Sequence, residues 1–336
     1  MTDSLLIVMY HYVRPIAGSR YPTLKGLELD NFRGQLDFLE QHYRIVRTQD
    51  VIAAMRGEGD LPSRAALLTF DDGYMDHYDH VLPELVARGM QGSFFPPACA
   101  VLDGRVLDVN KIHFVLASGV DPRQLVCEIF ALLDVHRVRH DLKPNADYYR
   151  LYSNESRYDT PDVTFIKRIL QKGLPQALRS EIVDQLFQRF VTADEKGFAE
   201  SLYMGKAQLR ELHDAGMCIG SHGDQHRWLN TLSPVEQRQE IERSLDFLGE
   251  LGVPTQDWVM CYPYGGYNAS LLEILREKQC AMGLTVEVGL ADLSRNDPLS
   301  LPRLDTNDVP FSAAAGLDAF QWAATSVAMP EPEEGA

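Results

Sequence analysis

The sequence lacks the features typical of disulfide-bonded, membrane-spanning and nucleic-acid-binding proteins. Its five cysteines are odd in number and form no C-x-x-C pair, which favours free thiols in a reducing cytosol. No apolar run approaches the ~20 residues of a membrane-spanning helix, and the acidic start Met1–Ser4 is unlike a signal peptide. Lys and Arg number 32 against 48 Asp and Glu, which argues against nucleic acid as a partner. We therefore expect a cytoplasmic protein; no feature predicts an oligomeric state.

The remaining composition is that of an ordinary globular protein, with 45% hydrophobic and 24% charged residues. Short apolar runs alternate with helical patterns near both ends of the chain, and this alternation predicts an α/β fold with a mostly parallel sheet. The predicted strands are Leu5–Met9, Arg44–Val46, Leu67–Phe70, Gly92–Phe95, Met217–Gly220, Trp258–Cys261 and Ala281–Thr285.

Between these two α/β segments, residues 103–205 contain helical patterns and no convincing strand. We interpret this region as a helical insertion, with a polar loop at 145–162. The predicted organisation is an α/β domain of residues 1–102 and 206–328, the insertion, and a disordered Pro/Glu-rich tail at 329–336.

Polar motifs follow four of the predicted strands. His11 comes after the first strand, the pair Asp71 and Asp72 after an apolar strand, His222 after Met217–Gly220, and the segment 262–265 after Trp258–Cys261. Parallel strands place their carboxyl ends at one face, where the sites of α/β sheets and barrels form. We therefore expect these four segments to meet in one site.

The site combines two acids with two histidines. His222 and His226 are four residues apart, and two histidines with one carboxylate suit zinc or another divalent first-row metal. The other carboxylate remains available as a general base. A polarised carbonyl, activated water and a base together indicate amide or ester hydrolysis.

Three motifs resemble those of the polysaccharide deacetylases, carbohydrate esterase family 4. They are Thr69-Phe70-Asp71-Asp72-Gly73, His222-x-x-x-His226 and Tyr262-Pro263-Tyr264-Gly265. The resemblance covers roughly residues 5–100 and 206–305. It implies a distorted (β/α) barrel of about seven strands and a divalent metal, most often zinc. It further implies that Asp71 is the general base, that Asp72, His222 and His226 are the metal ligands, and that the Tyr264 N–H helps to hold the oxyanion.

This chain departs from the family pattern at three places. Gly223 follows the first histidine, where the family usually has Ser or Thr. Cys261 stands where the third motif usually begins with an Arg that orients the base; Arg303 is our candidate to supply that guanidinium from the next strand, and we group it with Tyr264 as an oxyanion or substrate contact. No histidine follows His226, so the family's late Leu-x-His acid is missing. Met9-Tyr10-His11-Tyr12 resembles an N-terminal motif of some members, and we assign the general acid to His11. We expect its ring to lie within reach of the metal site, on the side facing away from Asp71.

The leading hypothesis is a metal-dependent deacetylase acting on an N-acetylated sugar, such as a nucleotide-linked, lipid-linked or glycan precursor. One alternative is an amide hydrolase on the same scaffold that acts on a small ureide or formamide. Another is a non-catalytic, metal-bound carbohydrate-binding protein. Simpler interpretations also exist for single residues: His11 as a core histidine and Arg303 as an ion-pair partner of Asp305. The remaining histidines that we interpret as surface residues are His77, His80, His136, His140 and His213.

Overall fold

The computed structural model describes residues 4–154, 159–317 and 320, so the predicted tail at 329–336 lies outside the described residues. These residues fall into two compact units. The first contains Met1–Arg14, Gly26–Asp103 and Glu200–Ala336, and the second contains Pro15–Lys25 and Gly104–Ala199. No helix in the described ranges is both long and apolar enough to cross a membrane.

Seven parallel strands form a nearly closed barrel in the first unit, in the order β7-β6-β5-β1-β11-β9-β8. A bridge between Ser221 and Met260 connects the two ends of this order, through Ser221 N to Val259 O at 2.9 Å and Cys261 N to Ser221 O at 2.9 Å. The predicted α/β barrel is therefore confirmed. The strands are β1 Ser4–Tyr10, β2 Val13–Arg14, β3 Leu27–Glu28, β4 Arg44–Ile45, β5 Ala65–Asp71, β6 Gly92–Phe95, β7 Cys218–Ile219, β8 Val259–Cys261, β9 Met282–Val288, β10 Ala291–Asp292 and β11 Leu301–Asp305.

Helices surround the barrel and fill the second unit. The helix after Ser233 shows why local sequence sets the boundaries: Ser233 and Glu236 form a capping box, Pro234 occupies the first turn, and Gly252 ends the helix in the left-handed conformation. The helices are α1 Leu29–His42, α2 Thr48–Met55, α3 Leu82–Arg88, α4 Ala98–Leu102, α5 Asp108–Leu116, α6 Pro122–His136, α7 Asn145–Tyr152, α8 Pro161–Arg168, α9 Gln176–Phe190, α10 Glu195–Leu202, α11 Lys206–Asp214, α12 Pro234–Leu251 and α13 Ala269–Glu277.

The predicted loop at 145–162 is wrong in part, because it contains all of α7 and the start of α8. Thr160 caps α8 through its hydroxyl, with Pro161 in the first turn. In α7, Tyr148 is buried. The aromatic stretch that was predicted to be a loop therefore contains a helix with one buried face.

Strand alternation places the site residues inside the barrel. Leu5, Ile7 and Leu67 belong to one buried cluster, whereas Leu6 and Val8 belong to another, on the opposite faces of β1 and β5. Successive side chains of a strand point to opposite faces. Asp71 therefore lies on the same face of β5 as Leu67, and Arg303 on the same face of β11 as Leu301, which belongs to the cluster of Leu5, Ile7 and Leu67.

Candidate active site

The two adjacent carboxylates diverge because the backbone turns sharply where β5 ends. Asp72 has φ 70° and Gly73 has φ 68°, both in the left-handed region. A Cβ on Gly73 would lie 2.7 Å from the Pro96 side chain, so this turn requires glycine. The turn leaves Asp71 on the barrel strand and directs Asp72 towards the histidine loop.

His222 and His226 present ring nitrogens to one oxygen of Asp72. His222 Nε2 lies 3.4 Å and His226 Nε2 lies 3.3 Å from Asp72 Oδ1. His222 Nδ1 lies 2.7 Å from the Cys261 carbonyl oxygen. Because a carbonyl only accepts, Nδ1 carries a proton, which leaves Nε2 as the atom that could bind a metal.

The residues fit a divalent cation. Asp72 Oδ1 is buried and has no hydrogen-bond partner among the described residues, whereas Oδ2 accepts a 2.5 Å bond from the Tyr74 hydroxyl. The three candidate ligand atoms lie within 4.8 Å of one another. A buried carboxylate oxygen facing two imidazole nitrogens is costly unless a cation joins them, and one oxygen with two nitrogens is a donor set that suits zinc.

Asp71 forms a bidentate ion pair with Arg303 inside the barrel. Arg303 Nη1 donates to Oδ1 at 2.9 Å and Nη2 donates to Oδ2 at 2.8 Å, while Nε donates to the Thr285 carbonyl. Burial raises the pKa of Asp71, but the Arg303 charge and hydrogen bonds outweigh it and lower the pKa to about 2. The fully buried guanidinium therefore orients and ionises Asp71, and this geometry favours that role over the substrate contact we had grouped it with.

Asp71, His222 and Cys261 also lie within 4.8 Å of one another, but this second cluster does not suit a cation. Both Asp71 oxygens already accept from Arg303, whose positive charge would repel an ion. His222 Nδ1 is bonded to the Cys261 carbonyl. The first cluster is therefore the candidate metal centre.

Replacing Arg303 with Lys should reduce stability most strongly near neutral pH. The folded-state pKa of Asp71, about 2, lies below an unfolded value of ~3.9. Stabilisation by Asp71 is thus fully present above pH ~4 and is lost as the pH falls through about 2. A shift of this size is worth roughly 2–3 kcal/mol, and Lys cannot form the bidentate pair. Denaturant unfolding from pH 7 to 2 should show the variant losing less stability on acidification than wild type.

The matched control is Arg276→Lys, which alters an exposed pair with Asp297 and should track the wild-type curve. Parallel curves for Arg303→Lys and wild type across this pH range would contradict the origin that we assign to the Asp71 pKa.

His11 lies at the same end of the barrel, but on an unexpected side. We had predicted that its ring faces away from Asp71; instead, His11 Nε2 lies 3.9 Å from Asp71 Oδ2. The side chain is 41% exposed, so the core interpretation does not apply and the ring is accessible to solvent. The physical reason is the pairing of β1 with β5, which sets Tyr10 opposite Phe70 and brings the residues that follow side by side.

His77 anchors the backbone of His11, and its prediction as a surface residue was wrong. It is fully buried, and its Nε2 lies 2.8 Å from the His11 carbonyl oxygen, which identifies Nε2 as the donor. Burial lowers the pKa of His77 to about 4, so the ring is neutral near neutral pH. His136 is also buried, contrary to the same prediction. His77 lies in a π-helical turn, and His136 lies at the end of α6.

Tyr264 lies beside the histidines in a strained turn. It adopts φ 56° within the 3₁₀ turn Pro263–Gly265. Its ring packs edge-on against His226 at 4.7 Å and stacks on Trp228 at 4.7 Å with nearly parallel planes. The structure thus brings all seven predicted site residues to one end of the barrel, with Asp71 and Arg303 in one pair and Asp72, His222 and His226 in one cluster.

Sequence reasoning missed Tyr74 and Glu240. Tyr74 donates to Asp72 from two residues away, and Glu240 on α12 accepts from backbone N–H groups between the two histidines. Tyr74 directly follows the Asp71-Asp72-Gly73 motif, and that proximity was a usable signal. Glu240 offered none, because a glutamate on a charged helix usually faces solvent.

Comparison with known proteins confirms the resemblance to the polysaccharide deacetylases. Residues 184–283 match the polysaccharide deacetylase family model; they include His222, His226 and the third motif, but not Asp71 or Asp72. The match begins inside the segment that we had placed outside the resemblance. The Bacillus subtilis protein YxkH, named as a polysaccharide deacetylase, is 29% identical over 96 residues, which are 29% of this chain and 34% of YxkH. The aligned region thus spans about a third of that relative.

Solved deacetylase structures share the fold along nearly the whole chain. The Streptococcus pyogenes deacetylase PplD, solved with acetate, has a TM-score of 0.57 at 16% identity, covering 96% of this chain and 98% of PplD. IcaB from Ammonifex degensii has a TM-score of 0.53 at 19% identity, covering 97% of each chain. The deacetylase domain of BpsB from Bordetella bronchiseptica has a TM-score of 0.53 at 16% identity, covering 91% and 96%. At these identities the likeness concerns the fold.

Proposed function

We propose that this protein is a zinc-dependent hydrolase that removes the acetyl group from an N-acetylated sugar. The observation that carries the proposal is the convergence of Asp72 Oδ1, His222 Nε2 and His226 Nε2 beside the Asp71–Arg303 pair. Family resemblance over residues 184–283 supports a carbohydrate amide as the substrate class. The free cysteines support our proposal of a cytoplasmic enzyme acting on a nucleotide-linked, lipid-linked or glycan precursor.

In the proposed mechanism, Asp72, His222 and His226 hold the metal. A divalent cation there would polarise the acetyl carbonyl and lower the pKa of water. Asp71, ionised at every working pH by Arg303, accepts the proton of the attacking water. The Tyr264 N–H donates to the developing oxyanion, and His11, near Asp71 at the solvent-exposed end of the barrel, protonates the leaving amine.

Acetate release tests this proposal. Zinc-loaded protein should release acetate from UDP-N-acetylglucosamine or a short N-acetylglucosamine oligomer, metal-depleted protein should not, and zinc should restore the release. His222→Ala should lose both bound zinc and acetate release. Release of formate or ammonia from other amides, with no acetate from either sugar, would overturn the proposed substrate class. Absence of turnover on every amide would overturn the enzymatic function.

A further inference from the structure

The loop between the two metal-site histidines is held in place by hydrogen bonds from its backbone N–H groups to side-chain oxygens. Gly223 N donates to Ser221 Oγ at 3.1 Å. Asp224 N and Gln225 N both donate to Glu240 Oε2, at 3.0 Å and 2.9 Å. Three consecutive backbone N–H groups of the loop therefore have side-chain acceptors, and Glu240 supplies two of the three bonds.

The opposite side of the loop is fixed by α4. The carbonyl oxygens of Gly223 and Asp224 accept from Ala98 N at 3.2 Å and Cys99 N at 3.0 Å. These donors belong to the first turn of α4, whose N–H groups have no partner inside the helix. The loop is thus clamped between the start of α4 and the buried face of α12.

Glu240 is an unusual residue for the inner face of a helix. Its residue surface is only 4% exposed, and a buried carboxylate is costly unless it is hydrogen-bonded. Its nearest cation, Arg227 Nη1, is 3.9 Å from Oε1. The two loop N–H groups are therefore its closest polar contacts among the described residues, and their hydrogen bonds offset the cost of burying the carboxylate.

The backbone of this loop is left-handed at Gly223 and again at His226, and the strain falls on the histidine. Gly223 has φ 73° and His226 has φ 51°. Left-handed conformation is unfavourable for a histidine, and it persists only where surrounding contacts enforce it. Gly223 also lacks the hydroxyl that the family pattern led us to expect, and a Cβ there would lie 3.5 Å from Glu240 Oε2. Glu240 thus supplies a hydrogen-bond acceptor next to Gly223, where the stabilising hydroxyl of the family pattern is missing.

We propose that Glu240 is a positioning residue of the metal centre. By accepting from Asp224 N and Gln225 N, it holds the loop in the conformation that sets His222 Nε2 and His226 Nε2 at nearly equal distances from Asp72 Oδ1. It acts through hydrogen bonds to the backbone and not through contact with metal or substrate. The inference rests on the metal centre of the proposed function but is independent of its substrate.

Zinc affinity, measured by competition with a fluorescent chelator, tests the role of Glu240. Glu240→Ala removes the acceptor and should weaken zinc binding by ~10–100-fold, the usual effect of losing a group that orients a metal ligand. Glu240→Gln keeps an oxygen that can accept both N–H bonds and should bind zinc within a few-fold of wild type. Glu240→Met, which keeps the side-chain volume without the acceptor, should behave like Glu240→Ala and serves as the test if Ala does not fold.

The control is Glu242→Ala on the same helix, which removes a partly exposed pair with Lys278 and should leave zinc affinity unchanged. Wild-type affinity in folded Glu240→Ala or Glu240→Met would overturn the proposal. Equally weakened zinc binding in Glu240→Gln and Glu240→Ala would also overturn the proposal, because the negative charge of Glu240 would then matter and not its hydrogen bonds. A wild-type protein that binds no zinc would overturn the metal centre itself, whereas tight zinc binding without acetate release would overturn only the proposed substrate.

Discussion

Asp71→Asn is expected to abolish measurable turnover while zinc remains bound. The carboxylate lies at the end of β5, outside the cluster formed by Asp72, His222 and His226. An amide has the shape of the carboxylate but cannot take a proton from water, so loss of the general base should cost at least ~10²–10⁴-fold in turnover. Acetate release and zinc content, measured on the same preparation, check both halves of this expectation.

The environment of Asp71 decides how the control must be designed. Both of its oxygens accept from Arg303, so the amide of Asn would present an N–H group to one of these donors. A thermal melt must therefore show that the variant is folded. Asp72→Asn is the matched partner, and it should lose zinc because Asp72 Oδ1 is a proposed ligand. If Asp71→Asn loses zinc and Asp72→Asn keeps it, the assigned roles of the two acids are reversed.

The sequence allowed the location of the site to be predicted because strand ends are visible in it. The run before Asp71 is apolar at every position except Thr69, and all seven residues of β5 are buried. Parallel strands then bring the residues that follow them to one face. The pairing of Arg303 with Asp71 was predicted from the family resemblance, and the barrel allows it because β5 and β11 lie on either side of β1.

What could not be predicted depends on contacts between distant segments. Glu240 is on a helix of charged residues, and no spacing in the sequence relates it to the loop that it holds. The side of the barrel on which His11 lies depends on the register between β1 and β5, which the apolar pattern of these two largely buried strands does not encode. The burial of His77 could not be predicted from helical spacing, because a π-helical turn from His77 to Val81 replaces the regular helical period there.

The position of His11 changes the expected path of the proton. A carboxylate with a pKa of about 2 is ionised near neutral pH but is a weak base, so a proton that it accepts must be passed on quickly. His11 Nε2 lies 3.9 Å from Asp71 Oδ2, and a histidine ring can both accept and donate a proton. Two routes to the leaving amine are then possible: donation by His11, or direct return of the proton from Asp71.

His11→Ala should distinguish these routes through the leaving group. We expect a loss of ~10²–10⁴-fold in acetate release from an N-acetylated sugar, the usual size of a general-acid effect, with zinc content unchanged. The phenolate released from an aryl acetate ester such as 4-nitrophenyl acetate leaves without being protonated. His11→Ala should therefore hydrolyse this ester nearly as fast as wild type. His80→Ala, another histidine of the same unit, should leave both reactions unchanged. Equal losses on both substrates would assign His11 to binding or to positioning of Asp71. Full activity on the sugar would leave the proton transfer to Asp71 alone.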